Sequence, residues 1–242
     1  LPESALTLAC GLAACAAVAG TLSNAALRPG SQIFGRTLIA GRDPREAALT
    51  YDDGPNGNAT PALLDLLAAH RARATFFMLG KYVRGQQELV RRVHAAGHLI
   101  GNHTETHPWL HTQPERIIRE ELRACNHALE DVLGAPVRYF RPPHGARRPA
   151  VLRIAAELGL TTVQWNAMGQ DWLPINCERI LANLDRGLAR ARRRGRGANL
   201  LLHDGWDRAP DADRAATVAA TATLLTRFAT EGTRTVTVDA WG

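Results

Sequence analysis

At 242 residues, 45% hydrophobic and 21% charged, the chain is long enough to bury its own core, and its composition argues against a disordered or disulfide-stapled protein. Its formal net charge of +6 is carried almost wholly by arginine, Lys81 being the only lysine, and a basic surface favours acidic partners such as nucleic acid, anionic lipid or anionic polymer. The four cysteines, Cys10, Cys15, Cys125 and Cys177, contain no C-x-x-C pair, so a structural zinc knuckle has no support and small buried thiols are expected.

The chain opens with Ser4–Leu22, nineteen residues without a charge, close to the ~20 that a membrane span requires. It reads as a membrane anchor, the apolar region of a signal sequence or a helix packed on the domain; export or membrane association is the favoured reading. Residues 1–28 are therefore set apart from a domain spanning 29–242.

After Pro29 and Gly30, short apolar runs alternate with amphipathic ones. "AALTYDD" predicts a first strand; Thr60 caps a helix with Pro61 at its first turn, running to about His70. "ATFFML" is the second strand, then a helix over Glu88–Ala96, and "HLIGN" the third. A long helix follows, with Ile117, Leu122, Cys125, Leu129 and Val132 as its apolar stripe. "VRYFRPP" is the fourth strand, Ala150–Leu158 a helix stopped by Gly159, and "TTVQW" the fifth strand. Cys177 to about Arg193 is helical, "ANLLLHD" is the sixth strand, Ala209–Thr230 a helix and "RTVTVDA" the seventh strand. This alternation implies a parallel α/β fold, an open doubly wound sheet or a barrel. No glycine-rich phosphate loop follows any strand, so a nucleotide-binding reading lacks support. The basic run Leu188–Gly197 reads as the solvated end of a helix matched to its dipole, and no aromatic residues interleave it as a nucleic-acid platform requires.

Unusual polar residues gather where strands end: Asp52-Asp53, "NHTETH", "RPPHG", "NAMGQDW" and "HD". In parallel α/β folds that is where function collects. His103 and His107 are four apart, a spacing that on one helical turn presents both imidazoles to a single metal ion. Two histidines and a carboxylate form an open catalytic site, with Asp53 or Asp52 as the third ligand and its neighbour left to take a proton. His70, His94, His98, His111 and His127 read as structural or surface residues.

These stretches, in order, resemble the polysaccharide deacetylase family, also called the NodB-homology or carbohydrate esterase family 4. "TYDDGP" matches T-F-D-D-G-P, "HTETH" matches H-[ST]-x-x-H, "RPPHG" matches R-x-P-x-G, "DW" ends D-x-x-D-W, and "LLHD" carries L-x-H. The resemblance covers Ala47 to about Val238 and implies a distorted (β/α)7 barrel. It implies that Asp53, His103 and His107 ligate a divalent metal, usually zinc, with cobalt or nickel as alternatives. Asp52 corresponds to the general base, Arg141 to the arginine that orients it, and His203 to the general acid. The His144 backbone amide corresponds to the oxyanion donor in the Pro143–His144 turn, and Trp172 and Leu201 to the walls of the acetyl pocket. The implied reaction is hydrolysis of an N-acetyl group on a glycan, by a monomer at the cell envelope or secreted, with no nucleic-acid partner. The alternatives are an O-acetyl esterase and a catalytically weak glycan-binding protein. One motif departs: D-x-x-D-W would begin at Met168, so its first Asp is missing. Asp171 or Asp204 is the candidate substitute beside His203, or else His203 is less basic, and a shifted pH optimum is expected. His144 stands where the family commonly has an aromatic residue.

Overall fold

The computed structural model describes residues 20–242. Most of the uncharged segment 4–22, together with Cys10 and Cys15, lies outside the described residues. Residues 20–27 are helical (α1). Among the described residues no helix is long and apolar enough to cross a membrane.

Eight strands follow: β1 (Glu46–Gly54), β2 (Thr75–Met78), β3 (Leu99–Asn102), β4 (Tyr139–Phe140), β5 (Thr161–Thr162), β6 (Ala167–Met168), β7 (Ala198–His203) and β8 (Arg234–Thr235). The helices between them are α2 (Ala59–Ala69), α3 (Gly80–Val83), α4 (Gln87–Ala95), α5 (Glu115–Leu133), α6 (Pro149–Glu157), α7 (Cys177–Arg193) and α8 (Ala215–Glu231). Every strand pairing is parallel, in the order β5-β4-β3-β2-β1-β7-β6. β8 pairs only with Glu46 and Ala47, below the point at which β2 joins β1 at Thr50. The sheet curls into the distorted barrel expected of the family. Its two edge strands, β5 and β6, are joined by residues 163–166, and Leu38 bridges Val163.

Burial on both faces explains why β1 reads as a near-continuous apolar run. Ala47, Leu49 and Tyr51 point outward into the main core with Leu63, Leu67, Leu224 and Phe228 of the flanking helices. Ala48 points inward, into a small plug with Phe77, Val163 and Val238. The period of two therefore sends Thr50 and Asp52 to the inner face as well.

Five expectations need correction. The strand expected at "TTVQW" keeps only Thr161–Thr162, and a new strand, β6, arises in the stretch read as loop. The last strand shrinks to Arg234–Thr235 before a 3-10 turn over Val238–Trp241. Thr60 lies inside α2 rather than capping it; Asn56 Oδ1 accepts from the amides of Asn58 and Ala59 instead. The stripe of α5 runs through Ile118, not Ile117, which gives the regular spacing 118, 122, 125, 129. Finally, α8 starts at Ala215, with Asp213 Oδ1 accepting from its amide, and Pro210 sits in the preceding turns.

Candidate active site

Adjacent strand residues ordinarily point to opposite faces, so Asp52 and Asp53 should diverge. They do not, because the β1–β2 register slips between Asp52 and Gly54 and Asp53 takes a left-handed φ of 71°. This bulge re-aims the second carboxylate. Asp52 Oδ2 and Asp53 Oδ1 end 3.7 and 3.4 Å from the same nitrogen, His103 Nε2.

His103 and His107 meet through a loop, not on the helical turn that their spacing suggested. Thr104 and His107 have φ of 74° and 69°, and Thr104 Oγ1 accepts from the His107 amide at 3.0 Å. Asn102, at the end of β3, accepts from the Thr104 amide at 2.7 Å and so starts the loop. Six described non-glycine residues have left-handed φ: Asp53, Thr104, His107, His144, Gln170 and Arg71. The first four carry or adjoin the site's side chains and Gln170 precedes Asp171; such conformations cost about 1–3 kcal/mol each and cluster where function demands them.

His103 Nδ1 lies 2.7 Å from the carbonyl of Arg141, to which it can only donate. That contact leaves Nε2 as the nitrogen available to a ligand, and it faces Asp53 Oδ1. His107 Nε2 approaches the same oxygen at 3.3 Å, while its Nδ1 lies 3.6 Å from Asp207 Oδ2. Burial drives the His107 pKa down to about 3, against the pull of Asp53, so the ring is neutral at pH 7. Asp53 Oδ1 is buried and has no hydrogen bond. Donor atoms of Asp53, His103 and His107 lie within 4.8 Å of one another. A buried carboxylate oxygen without a hydrogen bond, converging with two imidazole nitrogens, is the two-histidine, one-carboxylate donor set that fits a divalent ion.

On one side stands Asp52. Its Oδ1 accepts from Arg141 Nη1 at 2.8 Å. Arg141 is fully buried and stacks 4.3 Å over Phe77; Thr50 Oγ1 at 2.7 Å, Asn199 Oδ1 at 3.3 Å and the Gln164 carbonyl at 3.4 Å also accept from it, while its Nε has no partner. Thr50 is two residues before Asp52, and Asn199 is four before His203, so each shares the face of its functional neighbour. Sequence reasoning missed both, although a lone Asn in the apolar run "ANLLLH" was a usable signal.

On the other side stands His203, the register partner of Asp52 on β7. Its Nδ1 lies 2.8 Å from Asp171 Oδ1, and Asp171 Oδ2 accepts from the His203 amide and from Thr217 Oγ1, each at 2.8 Å. Burial alone would lower the His203 pKa; Asp171, through charge and hydrogen bond, outweighs it and raises the value to about 9. Asp171 thus occupies the place left open by Met168, and the reason to expect a shifted pH optimum falls away. Asp204 does not share that place. It points to the opposite face, where Thr60 Oγ1 donates to its Oδ2 at 2.5 Å and burial pushes its pKa up to about 7.

Leu201 is buried and shares the inward face with His203; Trp172 is exposed and meets the His203 ring edge-on, centroids 5.5 Å apart. Pro143 is buried and His144 exposed. The His144 ring stacks on Trp109 at 3.7 Å and abuts His107 at 4.6 Å. Trp109 is a third missed residue, and His111, expected to be peripheral, packs edge-on against it. His98 is structural: buried, its Nδ1 accepts from the Ala74 amide.

The sequence model of the family described as "Polysaccharide deacetylase" matches residues 40–163. This chain belongs to that family. It is 39% identical over 176 residues to a chitooligosaccharide deacetylase of Bradyrhizobium sp., covering 72% of this chain and 77% of the relative. It is 36% identical over 194 residues to a peptidoglycan-N-acetylglucosamine deacetylase of Bacillus cereus, covering 79% and 85%. A solved peptidoglycan N-acetylglucosamine deacetylase structure superposes with a TM-score of 0.76 at 30% identity, covering 84% of this chain and 91% of the other. As a polysaccharide deacetylase the protein is a hydrolase.

Gly205 shows how closely this deacetylase site is built. A Cβ there would lie 2.0 Å from the carbonyl oxygen of Asp53. Gly205→Ala is expected to shift the bulge and weaken ion binding about 10–100-fold, as disturbed supports of metal ligands do. Competition with a chromogenic zinc chelator measures it, with far-UV circular dichroism confirming that the fold persists.

Proposed function

We propose that this protein removes N-acetyl groups from N-acetylglucosamine residues of a peptidoglycan or chitin-like glycan. The observation that carries the reading is the flanking of one cation site by two proton-handling pairs of opposite character, Asp52–Arg141 and His203–Asp171. Arg141 orients the Asp52 carboxylate to accept a proton from the attacking water. Water oxygen bonds to the acetyl carbon, the C–N bond breaks, and His203 Nε2 protonates the departing nitrogen. Acetate and a free amine result. Asp171 fixes His203 with Nδ1 protonated and keeps the ring charged. A divalent ion held by Asp53, His103 and His107, zinc in our reading with cobalt or nickel as alternatives, would supply Lewis acidity to the carbonyl when bound. The His144 amide serves as an oxyanion donor, and Leu201 and Trp172 enclose the acetyl methyl.

A histidine kept protonated suits an amine leaving group, which departs poorly unless protonated; this favours N-deacetylation over O-acetyl ester hydrolysis. All the groups come from one chain, so a monomer suffices, and the names of its relatives support action at the cell envelope. The test is free acetate released from N-acetylglucosamine oligomers and peptidoglycan fragments, by metal-stripped and zinc-reloaded protein. Release that disappears on stripping and returns on reloading is expected. No release from either form while zinc binds, or release only from O-acetylated substrates, overturns the reading.

A further inference from the structure

Arg186, Arg190 and Arg194 fall at i, i+4 and i+8 of α7 and its C-terminal cap, on one face and about 6 Å apart along the axis. They form one wall of a groove of about 1040 Å³ beside the β6 edge; Arg28 and Arg196 line it too. No Asp or Glu lines the groove. Among the described residues none of these five guanidinium groups has an ion-pair partner. Arg186 donates to Asn183 Oδ1 and Arg196 to the Ala40 carbonyl, which leaves their charge uncompensated. Arg192, on another face of the same helix, does pair, with Glu231 at 2.7 Å. Like charges at i, i+4 repel; the helix C-terminus offsets Arg190 and Arg194 in part, and a bound anion would offset the whole row, Arg186 included.

The groove meets the acid side of the active site. Met168, 38% exposed, and Gln170 line it. Met168 pairs in register with Leu201 of the acetyl pocket, and Gln170 precedes Asp171, the partner of His203. The other wall is fastened to the loop carrying His144. Buried Arg147 donates to the carbonyls of Gly145, Arg28 and Ser31 at 3.0, 2.9 and 2.7 Å.

We propose that this groove is a subsite for an oxyanion, phosphate or carboxylate, carried by the glycan beyond the sugar that is deacetylated. Guanidinium forks bind either group bidentately, and their spacing on α7 suits an extended chain with more than one anion. The identity of the glycan rests on the deacetylase reading; the oxyanion site itself does not.

The test compares the wild type with the double variant Arg190→Ala/Arg194→Ala. Inorganic phosphate titrated at low salt should bind the wild type at least ~10-fold more tightly. Acetate release should show an unchanged KM for neutral N-acetylglucosamine oligomers. KM should rise by about tenfold for peptidoglycan fragments with free carboxylates, for oligomers ending in a diphosphate, or for both, and the arm that moves names the oxyanion. Equal phosphate affinity in both proteins, or a KM that rises as much for the neutral oligomer, overturns the proposal. So does arginine-dependent binding to phosphatidylglycerol vesicles with no change in KM for either anionic glycan. If no glycan yields acetate yet phosphate binding still depends on these arginines, the deacetylase reading fails and the oxyanion site stands.

Discussion

Asp52→Asn is expected to lower kcat for acetate release by about 10²–10⁴ while the protein still holds one divalent ion. Asn has the same shape, and its amide oxygen still accepts from Arg141, but it has no carboxylate to receive a proton. The ion should remain because the converging donors belong to Asp53, His103 and His107. Asp53→Asn should do the opposite and lose the ion first. Stability will also fall, since fully buried Arg141 loses its counter-charge; breaking a buried pair from one side costs about 3–5 kcal/mol. The remaining acceptors, Thr50 Oγ1 and Asn199 Oδ1, soften that loss. Zinc stoichiometry by atomic absorption, measured beside single-turnover rates, separates the effects. An Asp52→Asn protein without zinc, alongside an Asp53→Asn protein that keeps it, would mean that the two carboxylates exchange roles.

That the roles can be divided at all depends on backbone geometry that the sequence shows only indirectly. "YDDGP" displays two acids before a turn, and the clustering of polar residues at strand ends was legible because a parallel sheet brings those ends together. What the letters do not carry is the left-handed φ at Asp53 that turns both side chains to one site. The same holds for His103 and His107: their spacing fits a helix, yet a loop with two left-handed residues brings them together. The fourth motif was misread for a related reason. Counting back four residues from Trp172 led to Met168 and an apparent gap, whereas Asp171, directly before the tryptophan, reaches His203 from the loop after β6. Strand β6 escaped detection and β5 is shorter than expected, because two-residue strands have no period to detect, only neighbours to pair with. The long α2, α5 and α7 were readable within a few residues, since amphipathic periodicity accumulates over turns.

Asp171→Asn is expected to reduce kcat by up to ~10⁴ and to move the alkaline limb of the pH–rate profile toward acid. The protonated ring is the active form of a general acid, and Asp171 is the main influence raising the His203 pKa to about 9. Without that charge, burial dominates and the pKa drops toward or below the ordinary ~6.5. At pH 8 the protonated fraction then falls from most of the population to a few per cent or less. Thr217→Val removes one hydrogen bond from Asp171 but leaves its charge, so it should move the limb much less. Stability provides a second readout that does not require turnover. A histidine whose pKa is raised on folding contributes stability that is complete below about 6.5 and disappears as pH rises through about 9. Thermal unfolding of zinc-free wild type should thus show a Tm that declines across that window, and the Asn variant should lack this decline. If the two proteins keep the same alkaline limb and the same Tm slope, His203 is not held charged by Asp171. The division between an acid wall and a base wall would then fail.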